Sequence, residues 1–160
     1  PAFEAAGVDF VVVHARTVEQ KYRGSADHVL TREIVERCSL PVIANGDMTT
    51  AHDVARVLEQ TGASGVMLGR GAVADPLLFE RIRGRAPERT TGVERQRELA
   101  QYYALLLSAY EQIFEGDAQV LAKLQSVFVH VDDADQARWL KALKKQKTVA
   151  TLRALLATWG

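Results

Sequence analysis

Three short apolar runs occur in the first half of the chain, and each stops on glycine, histidine or another polar residue. Phe10-Val11-Val12-Val13 ends at His14-Ala15-Arg16-Thr17, Pro41-Val42-Ile43-Ala44 ends at Asn45-Gly46-Asp47, and Val66-Met67-Leu68 ends at Gly69-Arg70-Gly71. Runs this short, unbroken and largely β-branched predict strands apolar on both faces, as in a parallel sheet covered by helices. Helical spacing fills the gaps. The first such stretch is His28 to Cys38, with Val29, Ile34, Val35 and Cys38 inward. The second starts at Thr49 or Thr50 and runs through about Gln60, with Val54, Val57 and Leu58 inward and Gly62 as the stop. Asp75-Pro76 opens another helix, burying Leu77, Leu78, Phe79 and Ile82. At the start, residues 2–7 read as the last turns of a helix closed by Gly7, with no start signal before it. The order is therefore β-α-β-α-β-α, and right-handed crossovers bring all three strand ends to one rim. The expected fold class is α/β: about three β/α units of a TIM (β/α)8 barrel, or part of a doubly wound sheet. A closed barrel takes roughly 250 residues, so three strands leave two open edges.

The second half reads differently. Gly84 to Gly92 is a linker, and beyond it the strand pattern disappears. Val93 to Glu115 predicts one long helix, with Leu99, Tyr103, Leu106, Tyr110 and Ile113 along one side. Asp117 is expected to cap a second, running to about Val131 on Val120, Leu121, Leu124, Val127, Phe128 and Val131. A third starts at Asp133 or Asp135 and buries Ala137, Leu140 and Leu143; Thr148 caps a fourth through Thr158. Four helices with short loops predict a small antiparallel bundle. Two domains follow, 1–87 and 88–160.

Composition narrows the function classes. With 20 basic and 20 acidic residues among 160 the formal charge is zero, so no global field favours nucleic acid or membrane. No apolar run reaches the ~18 residues of a membrane span, and Pro1-Ala2-Phe3-Glu4 has no signal-peptide character. The single cysteine, Cys38, allows no internal disulfide and suits a reducing cytoplasm. Its apolar spacing makes it a core residue. The charge is unevenly spread: Gln136 to Gly160 carries Arg138, Lys141, Lys144, Lys145, Lys147 and Arg153 and no acidic residue. Either a solvated helix face or a basic binding patch accounts for that.

The strand ends carry the chemistry. Glycines at Gly69 and Gly71 let backbone N–H groups approach a ligand closely, and Arg70 adds a fork of donors suited to phosphate. In barrels a phosphate site lies in the loops after the last two strands, beside a short extra helix. Asn45-Gly46, Gly69-Arg70 and a short helix from Gly71 to Ala74 fit those positions. Each piece alone has a plainer explanation. Asn45-Gly46 is also an ordinary tight turn, His14 a satisfied strand-end histidine, and Arg16 a partner for a rim carboxylate. His28, His52 and His130 have no ligand-spaced neighbours, so no metal site is expected. No paired carboxylates and no Ser-His-Asp order stand out.

Taken together, three segments resemble the tRNA-dihydrouridine synthases: Val13-His14-Ala15-Arg16-Thr17 with Tyr22-Arg23-Gly24; Pro41 to Asp47; and Gly65-Val66-Met67-Leu68-Gly69-Arg70-Gly71-Ala72 followed by Asp75-Pro76-Leu77-Leu78-Phe79. The likeness covers residues 7–83 closely and the helical tail more loosely. It implies a flavin-dependent barrel followed by a helical tRNA-binding domain. The implied reaction is reduction of the C5–C6 bond of uridine in tRNA, using FMN recharged by NADPH. His14 would then contact FMN, and Asn45, Gly46, Gly69 and Arg70 would bind its phosphate, with Asp47 orienting that loop. Arg16 would face the substrate side, and Tyr22 and Arg23 would border the tRNA. Lys123, Arg138, Lys141, Lys144 and Lys145 would grip the tRNA body. The implied protein is cytoplasmic and, at full length, monomeric.

The chain also departs from the family pattern. The Asn-x-Gly-Cys-Pro motif with the proton-donating cysteine is absent, Cys38 is not in that context, and no catalytic residue is assigned. The flavin-contacting glutamine and lysine of earlier strands are missing too, and His-Ala-Arg replaces the commoner His-Gly-Arg. The expectation is the C-terminal part of a synthase, inactive alone. Two other readings stay open: another FMN- or phosphate-binding TIM-barrel enzyme, and a non-catalytic RNA-binding remnant.

Overall fold

The computed structural model describes residues 2–20 and 23–159. They form two compact units, Pro1–Ala72 with Leu78–Ala86 and Val73–Leu77 with Pro87–Gly160.

The first unit holds a parallel three-stranded sheet. After a short helix α1 (Ala2–Ala5) come β1 (Val11–His14), α2 (His28–Arg37), β2 (Val42–Asn45), α3 (Ala51–Thr61) and β3 (Gly65–Met67). The strands lie in the order β1-β2-β3, with His14 opposite Asn45 and Asn45 opposite Met67 at their carboxyl ends. The helices α4 (Arg70–Ala74) and α5 (Leu78–Ile82) follow.

Local chemistry sets the helix bounds. Thr50 caps α3 by accepting from the Asp53 N–H, while the Asp53 carboxylate accepts from the Thr50 N–H, a closed capping box. Gly62, at φ +66°, ends α3 in the left-handed conformation. The Asp27 carboxylate caps α2 through the Val29 N–H.

The two faces of the sheet differ. Val42 and Ala44 are buried, and Ala44 packs in one cluster with Met48, Val54 and Val57, with Val66 and Leu58 against it. The opposite face carries Val12, Ile43 and Met67, and Val12 and Met67 are about half exposed. The expectation of strands covered on both sides therefore fails for β1, whose burial alternates along the strand. A period of two appears because helices pack on only one face among the described residues. Likewise Val29 lies 57% exposed, and Thr31 takes the innermost place on α2. Phe79 is exposed, so only Leu78 of the expected α5 face is fully buried.

The second unit is helical: α6 (Gly92–Glu111), α7 (Asp117–Phe128), α8 (Ala137–Lys144) and α9 (Val149–Ala157). Helix α6 packs on α7 and α9, and α7 packs on α8 and α9. Their shared core runs from Leu99, Tyr103 and Leu107 through Leu124, Phe128, Trp139 and Leu140 to Leu152 and Leu156. Tyr103 sits edge-on to Phe128 at 4.6 Å and stacks with Trp139 at 6.1 Å between ring centroids.

Two boundaries move, and one inner position changes. Helix α6 stops at Glu111, and Ile113 is exposed rather than inward. Asp117 is the first residue of α7, not its cap; that place falls to Gly116 at φ +78°. The Asp117 carboxylate accepts instead from the Val149 N–H, tying α7 to the start of α9. Ala137 is exposed, and Trp139 fills the core beside Leu140 and Leu143. No helix among the described residues is long and apolar enough to cross a membrane.

Candidate functional site

The carboxyl ends of β1, β2 and β3 meet in one row on the less covered face of the sheet. Asn45 is at its centre. Its Nδ2 donates to the Met67 carbonyl of β3 at 2.8 Å, and its Oδ1 lies 2.5 Å from His14 Nδ1 of β1. One carboxamide thus bridges all three strands, as the pairing register requires.

The next turn is built on Asp47. It takes φ +51°, the one non-glycine residue in the left-handed region among those described, a conformation aspartate tolerates better than most. The preceding Gly46 has φ +129°, and a Cβ there would lie 2.8 Å from Ala26 Cβ. The chain therefore runs tightly under the loop before α2, and the Gly46 carbonyl meets His28 Nε2 at 3.1 Å. From this position the Asp47 carboxylate gathers three donors. Arg16 Nη2 donates at 2.6 Å and the Ala26 N–H at 2.7 Å to one oxygen, and Arg70 Nη2 donates at 3.2 Å to the other.

The two arginines differ in environment. The Arg16 side chain is only 4% exposed and also donates to the Gly24 carbonyl, while its Nε and Nη1 are buried without a partner among the described residues. Arg70 is half exposed. Two guanidinium groups thus share the Asp47 carboxylate. Gly71 is buried against Met48 and Thr49; a Cβ there would come within 2.5 Å of the Met48 carbonyl. Gly69, by contrast, faces open space.

His14, Arg16, Asn45, Gly46, Asp47 and Arg70 are thus one connected group, with Gly69 beside them. Arg23 is exposed in the loop before α2, and Tyr22 lies outside the described residues. The plain reading of Arg16, a partner for a rim carboxylate, describes its geometry. Sequence reasoning missed that Asp47 would be the shared acceptor, although an acidic residue after Asn-Gly and two arginines at neighbouring strand ends is a readable signal.

The basic candidates lie in the helical unit. Arg138, Lys141, Lys144 and Lys145 are all exposed on or just after α8. They oppose the buried Trp139, Leu140 and Leu143. Lys141 and Lys144 line a cavity of about 280 Å³ with Asp132, Asp133 and Leu140. Lys123 Nζ sits 5.2 Å from the centre of the Phe114 ring, and Arg153 pairs with Glu111. Sequence reasoning also missed Arg95, which is buried in α6. It donates to Asp75 at 3.1 Å, Glu98 at 3.3 Å and the Ala74 carbonyl at 3.0 Å. Its spacing with Leu99, Tyr103 and Leu107 placed it on the inner stripe. Burial raises the Tyr103 phenol above its ordinary range, against a downward pull from Arg95. Among the described residues no group of His, Cys, Asp and Glu is arranged to hold a metal.

A short parallel sheet whose strand ends bring together a histidine, an asparagine, an aspartate and two arginines defines an α/β protein. Its sequence is more specific. The Dihydrouridine synthase (Dus) family model matches residues 1–158, and the chain belongs to that family. A probable tRNA-dihydrouridine synthase of Rhodobacter capsulatus is 41% identical over 112 residues, 67% of this chain and 35% of that protein. The tRNA-dihydrouridine(16) synthase of Ralstonia nicotianae is 33% identical over 145 residues, 90% of this chain and 40% of that protein. A tRNA-dihydrouridine synthase B of Xanthomonas axonopodis pv. citri is 40% identical over 76 residues, 48% of this chain and 23% of that protein. The chain spans about a third of the length of the curated relatives it matches.

Proposed function

We propose that this chain supplies the flavin-phosphate end and the helical tRNA-binding part of a cytoplasmic tRNA-dihydrouridine synthase. In that enzyme the barrel is completed by strands outside these residues, and the complete protein acts as a monomer. The observation that carries the reading is the convergence of His14, Asn45, Asp47 and Arg70 in a chain matched along its length by the Dus family.

The residues fit a phosphate monoester. Gly69 leaves room for close approach, Arg70 keeps an exposed guanidinium, and the amides at the start of α4 have no intrahelical acceptor. Asp47 holds Arg70 through one oxygen while the other oxygen takes Arg16. Asn45, Gly46, Gly69 and Arg70 would hold the phosphate of FMN, and His14 would meet the cofactor further in. When bound, FMN supplies hydride chemistry and is recharged by NADPH. The chain's own residues bind and orient: the arginines place negative charge, Asn45 fixes the strand ends, and Arg23 and Tyr22 border the nucleic acid. In the helical unit Lys123, Arg138, Lys141, Lys144 and Lys145 would meet the tRNA phosphates, an interaction whose affinity falls steeply with salt. No residue of this chain is assigned the protonation of uridine C5.

The test uses the complete protein. Purified enzyme should carry flavin absorbance and restore dihydrouridine to tRNA from a strain lacking its synthases, read by nucleoside mass spectrometry. Arg70→Ala should release the flavin. A complete protein with neither flavin nor dihydrouridine formation would end the proposal.

A further inference from the structure

We infer that Asn45 is a positioning residue that fixes the tautomer of His14, so that the neutral imidazole presents Nε2 as a hydrogen-bond acceptor to an N–H or O–H of the bound ligand. The argument starts from a carbonyl. Met67 O, on β3, can only accept, so the end of the Asn45 carboxamide that meets it at 2.8 Å must be the NH2 group. The reversed amide would set two acceptors against each other. Oδ1 therefore faces β1, where His14 Nδ1 lies 2.5 Å away. An amide oxygen donates nothing, so Nδ1 carries the proton. In the neutral ring the lone pair is then on Nε2, which has no partner among the described residues, and the side chain is exposed at the strand-end rim. The alignment of His14 with Asn45 and of Asn45 with Met67 holds this relay in place across three strands.

The assignment separates two roles on one rim. An unprotonated Nε2 repels phosphate oxygens and attracts donors, so His14 takes a neutral N–H or O–H group while Arg70 takes the anion. The tautomer does not depend on the flavin reading; the identity of the donor, a group of FMN, rests on it.

The experiment is 15N NMR of the complete protein labelled at histidine, above neutral pH, with His14 assigned through His14→Gln. Nδ1 should show the protonated, pyrrole-type shift and Nε2 the pyridine-type shift. Asn45→Ala should move both toward the average of free histidine, whereas Asn45→Asp, which still accepts, should keep Nδ1 protonated. A neutral wild-type His14 protonated on Nε2 would overturn the proposal. On saturation with FMN, followed by flavin fluorescence, the Nε2 signal should move to lower shift. An Nε2 signal unmoved with flavin bound would overturn the ligand assignment. A protein that binds no FMN would remove the flavin reading and the donor named from it, while the wild-type shifts still decide the tautomer.

Discussion

Asp47 shows how much a single side chain can organise. It answers a guanidinium that is 4% exposed, so removing its charge strands a buried cation. Asp47→Asn keeps a residue type that tolerates the left-handed backbone and isolates the charge. It should cost about 3 kcal/mol in urea unfolding; a loss under ~0.5 kcal/mol would mean Arg16 is held by other interactions. The two glycines of the following turn make a second comparison. Gly71→Ala drives a methyl into the Met48 carbonyl and should cost roughly 1–3 kcal/mol. Gly69→Ala meets open space and should leave stability within about 0.5 kcal/mol, while weakening FMN binding if the amides approach the phosphate. The residue types of this rim were legible in the sequence because glycine, arginine and asparagine at strand ends have few uses. That Arg16 could pair with a rim carboxylate was legible too; which carboxylate, and that Arg70 would share it, depends on where the loops fold back.

Among the elements, α3 is the best specified. Its capping box lowers the Asp53 carboxyl: burial alone would raise it above 3.8, but hydrogen bonds from Thr50, Thr49 and Arg56 outweigh that. A carboxyl held low when folded contributes stability above its unfolded value, and that contribution is lost as pH falls through the folded value. Asp53→Asn should therefore cost about 1 kcal/mol near neutrality and flatten the acid limb of the stability profile below pH ~4. An acid limb identical to wild type would contradict the assignment. Both ends of α3, Thr50 and Gly62, could be read from the sequence because caps are local. The end of α6 could not: Ile113 continues the periodic pattern, yet the chain leaves the helix at Glu111, Ile113 turns out to solvent, and Phe114 packs back on the helical core instead. The face of β1 was misjudged for a related reason, since four apolar residues do not say which face another element covers.

For the whole molecule, the basic side of α8 makes a prediction in salt. Lys141→Ala with Lys144→Ala and Lys145→Ala in the complete enzyme should flatten the dependence of tRNA affinity on salt. Each phosphate no longer neutralised should lower the log–log slope by about 0.9. An unchanged slope would place the tRNA elsewhere. The division into a sheet unit and a helical unit also has an optical consequence. Both tryptophans, Trp139 and Trp159, belong to the helical unit, so emission excited near the red edge of protein absorption is blind to the strands. Denaturation followed by that light alone would chart one half of the chain. Any disagreement with far-ultraviolet dichroism would reveal that the halves melt apart.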